Sequence, residues 1–463
     1  MTDRTHEAQE TAGTPPGDAS ADGPGPADAE RTAAEGPAGS RLSRRGLFGA
    51  LAAGAAGLAI GGAGGGAIAA KLAADTSGGH SGAAAEYPFF GAHQSGITTA
   101  AQDRMHFAAF DLDADATREE LVDLLRRWSY AASRLVQGLD VSASGAVSGS
   151  PLTPPDDTGE ALDLSPAGLT ITIGFGPTLF EKDGEDRFGI AAQRPEPLQR
   201  LPRFTGDALV PERSDGDLCV QACSDDPQVA VHAIRNFTRM AFGTATLRWS
   251  QLGFGRTSST STSQKTPRNL FGFKDGTSNI KAEDPGVAEE QVWVQPGDGP
   301  AWLSGGSYLA ARRIRMLIEL WDRQQLLEQE RVFGRDKREG APLSGGTEFT
   351  PPDFAAPSAD EASGDPTAIA AESHVALAHP DQNAGMRMLR RGYNYVDGND
   401  ELGRLDAGLF FLAFVRHPDQ FIRVQQNLSG DLLNEYIKHV GSSLWAIPPG
   451  ASEGGYVGET LFG

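Results

Sequence analysis

Leu218-Cys219-Val220-Gln221-Ala222, followed directly by residues 226–242, decides the fold class. The first stretch is short and apolar, with acidic residues on both sides, so it reads as a strand. The second opens with Asp226-Pro227, a helix start signal, and runs to Phe242. The same alternation recurs on both sides. Residues 117–139 place Leu121, Leu124, Leu125 and Trp128 at helical spacing among Arg and Glu. Residues 169–173 alternate as a strand, and residues 308–320 as a long one. Residues 322–331 read as a polar helix and 408–415 as a buried strand. Residues 418–428 and 431–440 read as closing helices. Several strands lie too close in sequence for parallel crossovers, which need about a dozen residues or more. The expected class is α+β with antiparallel sheets, built twice over.

Bulk properties narrow the function classes. The 463 residues carry a net charge of -21. Such a surface argues against nucleic-acid binding, which needs clustered Lys and Arg to neutralise phosphate. Two cysteines, Cys219 and Cys223, exclude a disulfide framework. Four strand residues span ~13 Å, beyond the ~7 Å that a bridge allows between Cα atoms. They read as small buried hydrophobes.

The front of the chain reads as an address. Residues 1–40 are rich in Ala, Gly, Pro, Glu and Asp and are expected to be a disordered leader. Residues 41–71 hold Ser43-Arg44-Arg45-Gly46-Leu47-Phe48 and an uncharged Ala/Gly/Leu run, which resembles a twin-arginine export signal. A membrane anchor is the competing reading, because the run exceeds ~18 apolar residues. Ala67-Ile68-Ala69 is a candidate cleavage site. Residues 72–86 read as a flexible spacer, and the folded part begins at Tyr87. An exported chain would end in the periplasm, the cell envelope or outside the cell.

Three segments carry candidate chemistry. Asn269-Leu270-Phe271-Gly272-Phe273-Lys274-Asp275-Gly276-Thr277-Ser278-Asn279 contains an Asp-Gly turn that presents a carboxylate. Ser373-His374-Val375-Ala376-Leu377-Ala378-His379-Pro380 offers two imidazoles, and on chemistry alone either could ligate a metal. Met388-Leu389-Arg390-Arg391-Gly392-Tyr393-Asn394-Tyr395 supplies a fixed positive charge, for which Arg suits better than Lys.

Together, and in this order, these segments resemble the motifs of the dye-decolorizing peroxidase family. Tyr87-Pro88-Phe89-Phe90-Gly91-Ala92-His93-Gln94, Phe333-Gly334-Arg335-Asp336-Lys337 and Gly408-Leu409-Phe410-Phe411 extend the resemblance from about Tyr87 to Pro449. It implies two ferredoxin-like halves, over residues 87–260 and 261–463, with haem b mainly in the second. It implies His374 as the iron ligand. His379 stands where the family usually has Asn, which keeps it as a rival ligand or a haem contact. Asp275 and Arg390 are implied as the catalytic pair beside peroxide, and Arg335 as a propionate contact. Gly276, Thr277, Ser278, Leu409 and Phe411 are implied as further haem contacts. The implied reaction reduces hydrogen peroxide and oxidises dyes, phenolics or other small one-electron donors. An aspartate in that role implies an acidic optimum, since a carboxylate with a reference pKa of ~3.9 still accepts protons where a histidine is already charged. Trp321, Tyr393 and Tyr395 are candidates for relaying electrons from the surface. The alternative is an exported haem-handling protein that releases iron, resembling deferrochelatase. The implied partners are peroxide, small reductants and the twin-arginine machinery, and the sequence is compatible with a homo-oligomer.

Overall fold

The computed structural model describes residues 86–359 and 364–463. The expected leader, the twin-arginine signal and all but the last residue of the spacer lie outside the described residues. Among the described residues, no helix is long and apolar enough to cross a membrane.

The chain runs twice through one pattern. The first pass is β1 (Arg104–Leu112), helix α1 (Arg118–Leu135), β2 (Thr170–Phe175), β3 (Leu218–Ser224), helix α2 (Pro227–Ala241) and β4 (Ala245–Arg256). The second is β5 (Ser307–Met316), helices α3 (Leu326–Phe333) and α4 (His374–Ala378), β6 (Leu389–Arg390), β7 (Tyr393–Asn399), β8 (Leu405–Val415), helix α5 (Pro418–Asn427) and β9 (Ile437–Ile447). In space the first four strands run β2-β3-β1-β4, and the second set runs β9-β5-β8-β7. Each pass is thus a ferredoxin-like βαββαβ unit with antiparallel pairing. β6 and β7 follow one edge of β8 in a single register, Leu389 facing Phe414 and Tyr393 facing Phe410. The seams are Phe175 against Ala446 and Phe254 against Asn394. With β5 also paired to β8, the ring closes into a barrel. Closure leaves every strand of the ring, other than the two-residue β6 beside it, without a free edge that would template aggregation.

Helix α1 forms because Thr117 caps its first turn and Glu120 returns the bond, a reciprocal capping box. Its apolar stripe, Leu121, Leu124, Leu125 and Trp128, is buried against the sheet. Trp128 has no exposed surface, packs on Phe110 and Phe237, and donates its indole N–H to the Phe237 carbonyl at 3.1 Å. Truncating such a residue costs about 3–5 kcal/mol. Strand alternation sends Ala108 and Phe110 to this helix-covered face. It sends Met105, Phe107 and Ala109 inward, to meet Tyr393, Phe410, Leu412 and Trp445 from the second unit. Cys219 and Cys223 join that interior as buried free thiols, as expected.

Several boundaries differ from the sequence reading. Residues 431–440 do not form a helix. A short 3-10 turn over Leu432–Glu435 is followed by β9, which pairs with β5 from Met316–Ile437 to Ser307–Ile447. Local helix preference loses there to a ladder of tertiary pairing. The strand expected over 308–320 ends at Met316, where Leu317 N–H bonds the Tyr436 carbonyl and the chain turns into a short helix, Ile318–Trp321. The helix expected over 322–331 is shifted to Leu326–Phe333. β1, β4 and β7 were not read from the sequence at all.

Candidate active site

A cavity of about 500 Å³ lies on the outer face of the second unit's sheet. β5 contributes Ile314 and Met316 to its wall, β8 contributes Leu409 and Phe411, and β9 contributes Ile437 and His439. Alternation explains the set, because every second residue of each strand points this way. Helices α4 and α5 line it with His374, Val375, Ala378, Phe421 and Val424. All ten candidate residues line this one cavity: His374, His379, Asp275, Gly276, Thr277, Ser278, Arg335, Arg390, Leu409 and Phe411. The volume falls within the usual range for cofactor pockets, and the wall is largely apolar with a few polar groups, as is usual for them.

His374 is the first residue of α4. Its helix sits close to the end of α3 because Gly334 closes α3 in the left-handed region, with φ +78°. A Cβ on Gly334 would come within 2.6 Å of Val375 and 2.9 Å of the Ser373 hydroxyl. His374 Nδ1 donates to Asp431 Oδ2 at 2.6 Å. Asp431 is buried, and its Oδ1 accepts the Leu433 N–H at 2.8 Å, which fixes the carboxylate at the head of the 3-10 turn. Burial alone would lower the imidazole pKa, but Asp431 overrides it and the net direction is upward. With Nδ1 committed, Nε2 is the nitrogen left for a ligand, and 34% of the side-chain surface stays open.

The Asp-Gly turn puts Asp275 beside Arg390. Gly276 has φ +83°, and a Cβ there would lie 2.8 Å from the Ser258 backbone, so only glycine fits. Arg390 Nη1 donates to Asp275 Oδ1 at 2.9 Å. Asp275 Oδ2 has a longer contact, 3.5 Å from the Asn269 amide. Asn269 is buried and also accepts the Phe271 and Phe273 N–H groups, which shapes the turn. Arg335 is buried, with Nη1 donating to the carbonyls of Gly340 and Glu348. The Glu348 carboxylate takes bonds from Lys274 at 2.5 Å and Thr277 at 3.2 Å, so the segment around Glu348 packs on the Asp275 turn.

The two rival imidazoles differ in their surroundings. His379 accepts the Asp381 N–H through Nδ1 at 3.3 Å and packs edge-on against Phe354. Among the described residues the carboxylate beside its Nδ1 is Asp381, at 3.4 Å and largely exposed. His439 also lines the cavity, but burial and then the Arg312 charge push its pKa down to about 3. Among the described residues, no group of three or more His, Cys, Asp or Glu could hold a metal ion. Of the three imidazoles that line the cavity, His374 is the one held by a buried carboxylate. That suits an iron whose other ligands come from a porphyrin, and it fits haem.

The sequence did not identify Asp431, Asn269, Asn279 or Glu348 as parts of this site. Asn269 and Asn279 lie inside the quoted Asp-Gly segment and could have been flagged by adjacency. Asp431 is 57 residues from His374, and no spacing rule links them. Arg391, the second arginine of its pair, faces away. It is fully buried and holds the carbonyls of Ile97 and Thr99. Trp321, Tyr393 and Tyr395 are buried, so none is a surface group.

Comparison with known proteins agrees with the geometry. Residues 94–255 match the N-terminal domain of Dyp-type peroxidases and residues 266–452 match the C-terminal one. A deferrochelatase of Escherichia coli O157:H7 is 37% identical over 381 residues, covering 81% of this chain and 86% of its own. DtpA from Streptomyces lividans, solved as an oxyferrous/water mixed complex, is 42% identical with a TM-score of 0.73, covering 82% of this chain and 98% of its own. A DyP-type peroxidase from Streptomyces coelicolor matches equally, at 42% and 0.73, covering 82% of this chain and 97% of its own. With both domains matched in order on a duplicated ferredoxin-like barrel, the chain belongs to the dye-decolorizing peroxidases, a family of haem enzymes.

Proposed function

We propose that this peroxidase binds haem b in the described cavity, reduces hydrogen peroxide there and oxidises dyes, phenolics or other small one-electron donors. The observation that carries the reading is the meeting, in one cavity, of the Asp431-backed His374 with the Asp275–Arg390 pair. When bound, haem supplies a ferric iron that binds peroxide and stores two oxidising equivalents. His374 Nε2 would hold the iron, and Asp431 would fix its tautomer and raise its basicity. Arg335 would take a propionate, for which its planar fork is suited. Gly276, Thr277, Ser278, Leu409, Phe411 and His379 would complete the haem pocket. Asp275 Oδ2, the less committed oxygen, takes the proton from one peroxide oxygen and returns it to the other. Arg390 stabilises the charge that builds as the O–O bond opens.

The visible spectrum before and after one equivalent of peroxide tests this. Wild type should show a ferric haem band that changes with peroxide. His374→Ala should lose or alter the band. Asp275→Ala should keep it but respond about 10²–10⁴-fold more slowly, the usual worth of a positioned proton carrier. A protein that takes up no haem refutes the reading.

The deferrochelatase relatives favour a second reading, iron release from haem in the same cavity. Full release by Asp275→Ala, with peroxide turnover lost, would separate that activity from peroxidation. We also propose export through the twin-arginine route, supported by Arg44-Arg45 and the apolar run that follows. Replacing both arginines with Lys should retain the chain in the cytoplasm; unchanged export would exclude that route.

A further inference from the structure

We infer that Asn279 is a positioning residue that holds Arg390, and through it the Asp275 carboxylate, in register. The inference rests on the proposed role of Arg390. β6, which carries Arg390, is only two residues long. On one edge it faces β8, Arg390 opposite Ala413. On its other edge no strand pairs with it among the described residues. The Asn279 side chain takes that place. Its Oδ1 accepts the Arg390 N–H at 2.8 Å and its Nδ2 donates to the Arg390 carbonyl at 2.8 Å. Nδ2 also donates to the Ser259 carbonyl at 3.1 Å.

This amide belongs to the turn that presents Asp275. The Asn279 N–H bonds the Gly276 carbonyl at 3.0 Å. Turn and strand are therefore tied twice, once by the side-chain ion pair and once by the backbone clamp. The ion pair fixes only the ends of two side chains, which keep 26% and 17% of their surface open. The clamp is different: Asn279 is 3% exposed, and a fully satisfied buried polar group is rigid. An amide is also the required chemistry. It must accept from an N–H and donate to a C=O at once, which neither a carboxylate nor a hydroxyl of that reach can do in this geometry.

The test uses haem-loaded enzyme and a double-mutant cycle with Arg390→Leu. Three readouts are taken: the second-order rate with peroxide, the Kd of cyanide for the ferric protein, and the ferric spectrum with Tm as controls. Asn279→Ala should lower the peroxide rate and weaken cyanide about 10–100-fold, the range for residues that orient active groups. In the Arg390→Leu background the same change should cost less than about twofold, because coupled residues do not add. Should Asn279→Ala fail to load haem, Asn279→Asp is read the same way, since it keeps the acceptor and loses the donor. Equal losses in both backgrounds, or no loss in either, overturn the inference while leaving the Arg390 role standing. An Arg390→Leu enzyme with normal peroxide and cyanide reactions removes the Arg390 role, and the inference falls with it.

Discussion

Asp431→Asn should loosen the cofactor and raise the reduction potential of its iron. The structure sets the size of the effect. Asp431 Oδ2 lies 2.6 Å from His374 Nδ1, and Oδ1 takes the Leu433 N–H at 2.8 Å. Asparagine is isosteric but has one acceptor and one donor where the carboxylate has two acceptors. Whichever way the amide turns, one of the two N–H groups faces another N–H. The lost bond is charge-assisted and buried, worth about 1.5–3 kcal/mol. At 1.4 kcal/mol per factor of ten, that is roughly 10- to 150-fold in haem affinity if all of it reaches the iron–nitrogen bond. A less basic imidazole also stabilises ferric iron less, so the midpoint potential should move upward. The assays are haem loss to an excess of acceptor protein and spectroelectrochemical titration of the ferric/ferrous couple. Melting of the apoprotein measures how much of the change is the lost cap alone. Unchanged haem loss and unchanged potential would refute the reasoning and reduce Asp431 to a capping residue of the Leu432–Glu435 turn.

Two further outcomes follow from the geometry. His379→Ala should keep the ferric haem band, because the carboxylate beside His379 Nδ1 is the largely exposed Asp381 and the same nitrogen accepts the Asp381 N–H; a band lost as in His374→Ala would reverse the ligand assignment. The loop between α1 and β2, residues 141–166, should be pH-sensitive through His232, which sits between its Asp157 at 3.5 Å and Glu160 at 3.3 Å. Burial opposes its charge, but the two carboxylates win and its pKa is raised, while bonds from His232, Val141 and Gly159 overcome burial to hold Asp157 at about 2. A raised histidine stabilises the fold below its unfolded pKa and loses that contribution as pH rises through the folded value; a depressed aspartate does so above its unfolded pKa and fails as pH falls toward 2. Proteolysis of this loop should therefore be slowest in mildly acidic buffer, and the loss of protection as pH rises past the ordinary histidine range should vanish in His232→Leu; a flat profile in wild type would exclude this ion-pair cluster as a pH-sensitive contact.

The candidate site residues were legible through their resemblance to the family's motifs, since on form alone an Asp-Gly turn, a lone histidine and an Arg pair each read as ordinary structure. Gly276 must follow Asp275 since only glycine tolerates that turn against Ser258, and Leu409 and Phe411 share a face because strand side chains alternate. The α+β class with antiparallel sheets was also legible, from apolar periodicity and the short spacing between strands, while the two ferredoxin-like halves were an implication of the resemblance. The tertiary structure alone decided three things. It brought Asp431 behind His374 and Asn279 onto Arg390, contacts across 57 and 111 positions. It put residues 437–440, read from the sequence as the end of a helix, into the strand Ile437–Ile447, because a ten-residue ladder with β5 outweighs intrinsic preference. It also showed that Arg391 is an interior anchor while its neighbour Arg390 faces the cavity. A sequence records which groups are present and how they are spaced along the chain. Which side chain stands behind another across a sheet depends on the packing of distant segments, and short-range periodicity carries no trace of it.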